Sequence, residues 1–248
     1  MKLLNTFFIV AVLFTFSFNS QAKEPNWADY GNLLTRYVEK GQQDNIDLMA
    51  VDYTGIKNDP LYGQVIRQLK NFDIKQLEND NEKLAFYINA YNILAIKMVL
   101  DHWPLKSIKD AGSLFSSVWK KDVGKISHKT VTLNEVEHEI LRKMGEPRIH
   151  MAIVCASVSC PDLRNEPYTA DKLSEQLDDQ TRKFLNNVGK GLRIKGNVAE
   201  VSKIFGWFEE DFEQQGGITA FIKNYRSDLP NNIKIDSSIS YNWNLNRN

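Results

Sequence analysis

Cysteine is almost missing from this chain, which has two in 248 residues, Cys155 and Cys160. No disulfide framework can be built beyond one local pair. Net charge is missing too: 31 basic residues balance 31 acidic ones. That balance leaves no basic footprint for nucleic acid or for an anionic membrane surface. There is no repeat, no low-complexity linker and no cofactor motif, so a single domain without a cofactor is expected over residues 23–248. Beyond the first twenty residues no unbroken apolar run is long enough to span a bilayer.

The N-terminal run reads differently. Lys2 supplies a positive start, and Phe7 to Phe18 carries no charge and is too short to cross about 30 Å of hydrocarbon. Ser20-Gln21-Ala22 then offers the small residues of a cleavage site. Residues 1–22 are expected to be a signal peptide, giving an exported, periplasmic or secreted protein with no stable membrane anchor after cleavage. With 42% hydrophobic residues and five Trp, the remainder can bury a full core.

Residues 27–77 show helical spacing with polar interruptions, and Val51-Asp52-Tyr53 reads as a short extended piece. The strongest helix is predicted over 82–103. Asn79, Asp80 or Asn81 caps it, Pro104 follows it, and apolar residues lie on nearly every face, as in a helix buried on all sides. A short hairpin is expected at 123–131, turning at Ser127-His128-Lys129. Thr132 and Glu135 then form a capping box for a helix that stops at Gly145. Arg148 to Cys155 is apolar and β-branched and reads as a buried strand. Thr169 is expected to cap a helix over 170–186. A hairpin should follow over 192–202 through Gly196-Asn197, then further helix to Tyr225. The fold class is α+β: a mostly helical domain around one buried central helix, with a small antiparallel sheet.

Three readings are open for Cys155 and Cys160. They can form a disulfide, which the expected export permits and which would contribute about 2 kcal/mol in the chain-entropy model. One can be a nucleophilic thiolate on a loop of small residues. Metal ligation is the poorest fit, because two cysteines with four residues between them and no further ligand pair nearby lack zinc spacing.

His138 is the candidate base, off the apolar stripe of its helix and in line with Asn134, Leu141 and Arg142. His150, on the expected strand, would sit about 16 Å from Cys155 on the opposite face. His102 and His128 fall at a helix end and in a turn. Asn89 and Asn92 share one face of the apolar helix, where an unpartnered amide would cost about 1–3 kcal/mol. They either anchor neighbouring backbone or line a polar pocket. Arg142 and Arg148 are candidate donors to an anion.

The strings Phe86-Tyr87-Ile88-Asn89-Ala90-Tyr91-Asn92, Val136-Glu137-His138-Glu139-Ile140-Leu141-Arg142, Arg148-Ile149-His150-Met151-Ala152 and Cys155-Ala156-Ser157-Val158-Ser159-Cys160-Pro161 resemble the domain of unknown function 547 family. Phe184-Leu185-Asn186, Ser202-Lys203-Ile204-Phe205 and Tyr241-Asn242-Trp243-Asn244-Leu245-Asn246 are similar to its exported bacterial members. The resemblance implies that Asn89, Asn92, His138, Arg142, Arg148, His150, Cys155 and Cys160 fall in signature blocks. It also implies intracellular relatives, which favour a thiol role over a structural disulfide. Two positions depart from the family's habit of glycine, the turn at Ser127-His128-Lys129 and Ala156. Two functions therefore stand side by side. One is a cysteine-dependent hydrolase or acyl-transfer enzyme, with Cys160 or Cys155, His138 and Asn89 catalytic. The other is a non-catalytic module whose pocket, with Asn92, Arg142, Arg148 and His150, binds a small anionic ligand or an extracellular partner. Either way the ligand is an unidentified small molecule or peptide.

Overall fold

The structure, a computed structural model, describes residues 24–112 and 117–247, and the expected signal peptide lies outside them. Half of the described residues are helical and 18% are strand, in small sheets, an α+β architecture.

The N-terminal third is less uniformly helical than its spacing suggests. It runs α1 (Ala28–Tyr37), β1 (Val38–Gln43), β2 (Ile46–Val51), α2 (Tyr53–Asn58) and α3 (Pro60–Asn71). β1 and β2 pair as an antiparallel hairpin. Only Val38 of β1 is buried, so the strand carries almost no apolar alternation to read. The signal is in the turn: Asp44 and Asn45 hold φ of 52° and 61°, as a two-residue hairpin turn with right-handed strands requires.

The long helix α4 (Asp80–Asp101) is the core of the molecule. Asn79 caps it by accepting the Glu82 N–H at 3.0 Å. By length and composition α4 could cross a membrane, but its apolar window is 83% buried by the rest of the chain. A hairpin of β3 (Asp122–Ile126) and β4 (Lys129–Thr132) lies against it, turning at Ser127 and His128 with φ of 49° and 65°. Those positive angles are the reason glycine suits that turn. At Gly124 a side chain would approach Leu94 of α4 to 2.6 Å, so β3 packs this closely only without one.

The capping box forms as expected: Thr132 N–H donates to Glu135 Oε2 at 2.8 Å, and Glu135 N–H to Thr132 Oγ1 at 3.0 Å. The helix it opens is unusual. Glu135–Leu141 is π-helical, and the Arg142 N–H bonds back five residues to the Glu137 carbonyl. Such turns are rare and concentrate at functional sites. Gly145, at φ 71°, ends the segment.

Residues 148–155 correct the sequence reading. They are not a strand: α5 (Ile149–Ala152) is one helical turn, followed by extended chain into the cysteine loop. Thr169 does not cap the next helix, α6 (Leu173–Asn186). Its own N–H is taken by the Gln176 side chain at 3.0 Å, and the helix begins after Lys172. The rest runs β5 (Leu192–Lys195), β6 (Val198–Ser202), α7 (Lys203–Trp207), α8 (Glu209–Phe212), α9 (Gly217–Tyr225) and β7 (Lys234–Ile239). β5 and β6 form the expected antiparallel hairpin, and β7 adds beside β6 in parallel.

Burial divides this chain into a large apolar cluster around α4 and a second one that includes Phe184, Phe205, Phe212, Phe221 and Ile233. Burying these side chains is worth about 25 cal/mol per Å² of apolar surface, which is what holds the two clusters shut. The two clusters meet along a seam.

Candidate functional site

An open hollow with about 690 Å³ of empty space lies at that seam. The α4 cluster supplies Tyr91, Ile153 and Cys160, and the second cluster supplies Ile204, with Phe208 and Tyr241 packed on it. Glu137, His138, His150 and Cys155 share the hollow, walled by Trp119, Trp207 and Trp243. The fold thus brings the imidazole-bearing helix and the sulfur-bearing loop together. It does not bring the asparagines.

Asn89 donates to the Tyr168 carbonyl at 2.7 Å and accepts its N–H at 2.9 Å. Asn92 does the same for Ala152 O at 3.0 Å and Val154 N–H at 2.8 Å. Both amides are therefore spent on backbone, and Asn92 fixes the entry to the cysteine loop from below. Neither lines the hollow. The arginines are also committed. Arg148 binds Glu146 at 2.6 Å and Asp178 at 2.8 Å, away from the hollow. Arg142 grips Asp211 with two bonds, at 2.6 and 2.7 Å. An incoming anion would have to displace a carboxylate from either one.

The cysteines are free thiols. Their sulfurs lie 2.8 Å apart, well beyond the roughly 2.05 Å of a disulfide. The disulfide reading is thereby corrected: the turn brings the sulfurs together as hydrogen-bond donor and acceptor. Cys155 Sγ meets the Cys160 thiol, the Ser157 hydroxyl at 2.9 Å and the Tyr241 hydroxyl at 3.1 Å. Burial works against a Cys155 thiolate, but those bonds outweigh it and hold the thiol below its usual range. Burial, and then the bond to Cys155, push Cys160 the other way. Cys155 is half-buried and lines the hollow, whereas Cys160 is buried. Of the two, Cys155 has the chemistry of a nucleophile.

The loop is held in an uncommon shape. Ala156 sits at φ 59°, a left-handed conformation that costs a non-glycine residue about 1–2 kcal/mol. The C-terminal segment fastens it. Val158 N–H bonds to Asn244 O at 2.8 Å, Asn246 N–H to Ala156 O at 3.1 Å, and Asn242 N–H to Ser159 Oγ at 2.8 Å. The same segment carries Tyr241 and Trp243 into the wall.

The two histidines of the hollow differ in their hydrogen bonding. Arg142 Nη1 lies 3.1 Å from His138 Nδ1. A guanidinium can only donate, so that nitrogen is an acceptor and the proton sits on Nε2. Burial, and then the Arg142 charge, lower the pKa of His138. His138 is therefore a neutral N–H donor, not a free base. His150 Nε2 meets Asp211 at 2.6 Å, and its ring stacks on Phe208 at 4.1 Å. Burial disfavours its imidazolium more than Asp211 favours it, so His150 is also neutral, with Nε2–H on the carboxylate. Nδ1 has no hydrogen-bond partner among the described residues. Its lone pair is available to accept a proton. Among those residues, neither imidazole is hydrogen-bonded to a sulfur.

Two site residues escaped sequence reasoning. Glu137 accepts the Tyr91 hydroxyl at 3.0 Å, and burial pushes its carboxyl up to about 7. Its signal was an acid placed on the apolar stripe between Leu133 and Ile140. Asp211 orients both Arg142 and His150, and those bonds hold its carboxyl well below the usual range despite burial. It comes from α8, sixty-one residues beyond His150, and nothing local marks it.

Residues 74–185 match the family described as "Protein of unknown function, DUF547". The matched stretch contains Glu137, both histidines and both cysteines; Asp211 and the Trp207–Trp243 wall lie beyond it. No curated protein and no solved structure matches the chain.

Proposed function

We propose a thiol-dependent acyl-transfer or hydrolytic enzyme with Cys155 as nucleophile. One observation carries the reading: the thiol held below its usual range opens into the same hollow as a carboxylate-oriented imidazole and a carboxyl group poised near 7. Activated nucleophile, base with its orienting carboxylate, and general acid are the parts acyl transfer needs.

In this mechanism the Cys155 thiolate adds to the carbonyl carbon of an ester, thioester or amide. The N–H of His138 is available to the oxygen that becomes negative. Protonated Glu137 gives its proton to the leaving group as the carbon–heteroatom bond breaks, leaving an acyl-thioester on Cys155. Water or a second nucleophile, deprotonated at His150 Nδ1, then releases the acyl group. Asp211 keeps its own charge and holds that tautomer, as the carboxylate does in other His–carboxylate pairs. Cys160 donates to the thiolate and does not attack. The substrate we propose is a small molecule or peptide, met outside the cytoplasm, a reading supported by the signal-like character of residues 1–22.

The test is a set of acyl thioesters given to purified protein, with intact-mass analysis and turnover. A one-acyl adduct on Cys155 is expected. Cys155→Ser should lose at least about 100-fold in rate, and Cys160→Ser should keep most of it. Acylation of Cys160, or unchanged turnover by Cys155→Ser, ends the reading. The anion-binding alternative has lost its donors, since Arg142 and Arg148 are both held by carboxylates.

A further inference from the structure

Resting on the thiol reading above, we infer that the substrate carries an ammonium or guanidinium group beside its reacting carbonyl, received by the aromatic rim of Trp207, Tyr241 and Trp243. The rim is built for flat contact. Trp207 stacks on Trp243 with centroids 5.8 Å apart and planes 21° off parallel, and Tyr241 lies 4.8 Å from Trp207 and 4.5 Å from Trp243. Trp207 is 49% exposed, a large apolar side chain left open at the edge of a concave site. Burying it against other apolar residues would be worth more than leaving it in water, so an exposed position at a cavity mouth points to contact with a ligand.

What kind of ligand follows from two independent facts. The first is that the rim already holds a cation: Lys109 Nζ sits 3.5 Å from the centroid of the Trp243 ring, well inside the roughly 6 Å reach of a cation–π contact. Indole is the strongest aromatic partner for a cation, because its face is the most electron-rich. The second is the charge of the hollow. No lysine or arginine is among the described residues that line it, and its histidines are neutral. The lining groups that can carry charge are Glu137, protonated when it serves as the acid, and Cys155, and the only charge open to either is negative. An anionic substrate would approach the Cys155 thiolate, with Arg142 already held by Asp211. A cationic one would meet π faces at the mouth and that thiolate within. A neutral aliphatic substrate gains only the apolar contact.

The Cys155→Ser protein, which keeps the pocket but lacks the reacting sulfur, would be titrated with three blocked amides: N-acetyl-lysine amide, N-acetyl-norleucine amide and N-acetyl-glutamate amide. Tryptophan fluorescence reads binding. The lysine amide should bind about 3- to 30-fold more tightly than its uncharged norleucine counterpart, the span a cation–π contact is worth, and the glutamate amide weakest. Trp207→Ala, at the most exposed ring, and Trp243→Leu should each erase most of that margin. Equal or tighter binding of norleucine, preference for glutamate, or no binding by any of the three overturns the inference. Selective lysine binding, with no turnover of N-acetyl-lysine esters by wild-type protein, would instead refute the acyl-transfer mechanism and leave the ligand class standing.

Discussion

Replacing Asp211 by alanine strips the pocket of the group that orders it. The carboxylate accepts two bonds from Arg142 and one from His150. Its removal leaves the Arg142 side chain, three-quarters buried, and a 1%-exposed imidazole without their acceptor. Breaking a fully buried pair costs about 3–5 kcal/mol, and the partial exposure here discounts the ion-pair share to about 1–2. The stranded imidazole N–H adds about 1–3. A loss near 3 kcal/mol is expected, which for a domain of this size lowers Tm by about 6–12 °C. The loss should also depend on pH in a set direction. Arg142 and His150 hold the Asp211 carboxyl well below its usual range. Its contribution is therefore fully present above the unfolded pKa near 4 and fades as pH falls toward the folded value. Urea unfolding followed by tryptophan fluorescence at pH 7, 5, 4 and 3 measures the gap between wild type and Asp211→Ala. That gap should be level from pH 7 to 5 and narrow below 4. A loss under about 1 kcal/mol, or a gap that persists unchanged to pH 3, would refute the account of how the pocket is held.

Glu137 works in the opposite sense: burial raises its carboxyl to about 7, so the unfolded chain ionises first and stability falls as pH rises from about 4.5 to 7. Glu137→Gln should abolish that decline and be about 2 kcal/mol more stable than wild type at pH 8, with chemical denaturation as the check; an equal decline in both proteins would sink the assignment. Asn92→Ala removes two buried bonds to Ala152 and Val154 and should cost about 2–4 kcal/mol in the same assay. A neutral result there would mean that the cysteine loop is not held from α4.

The parts of this protein legible in its sequence are those whose environment is uniform. α4 is apolar on all sides, so any reading of periodicity finds it, and the caps at Asn79 and Thr132 are local contacts between residues three apart. Residues 148–155 misled because a short apolar, β-branched run suits a buried helical turn as well as a strand. That error then placed His150 and Cys155 on opposite faces, when the turn of α5 lets both line one hollow. Asn89 and Asn92 were correctly expected to be buried and partnered, but sequence does not show whether a buried amide holds backbone or substrate. His138 and His150 could not be told apart by position, because their tautomers are set by Arg142 and Asp211. Asp211 reaches the site only through tertiary packing of the second apolar cluster.

The lacing of residues 241–246 across the cysteine loop sets an order of events. Tyr241 gives Cys155 one of its hydrogen bonds, and Asn244 and Asn246 pin the backbone on either side of Ser157. A growing chain that has made both thiols still lacks this closing strap for some eighty residues. Cys160 and Ser157 bond the sulfur from within the loop itself, and residues 241–246 add the Tyr241 hydroxyl and the backbone bonds that fix the loop's shape. The full set of contacts around Cys155 is thus complete only once that distant segment has docked.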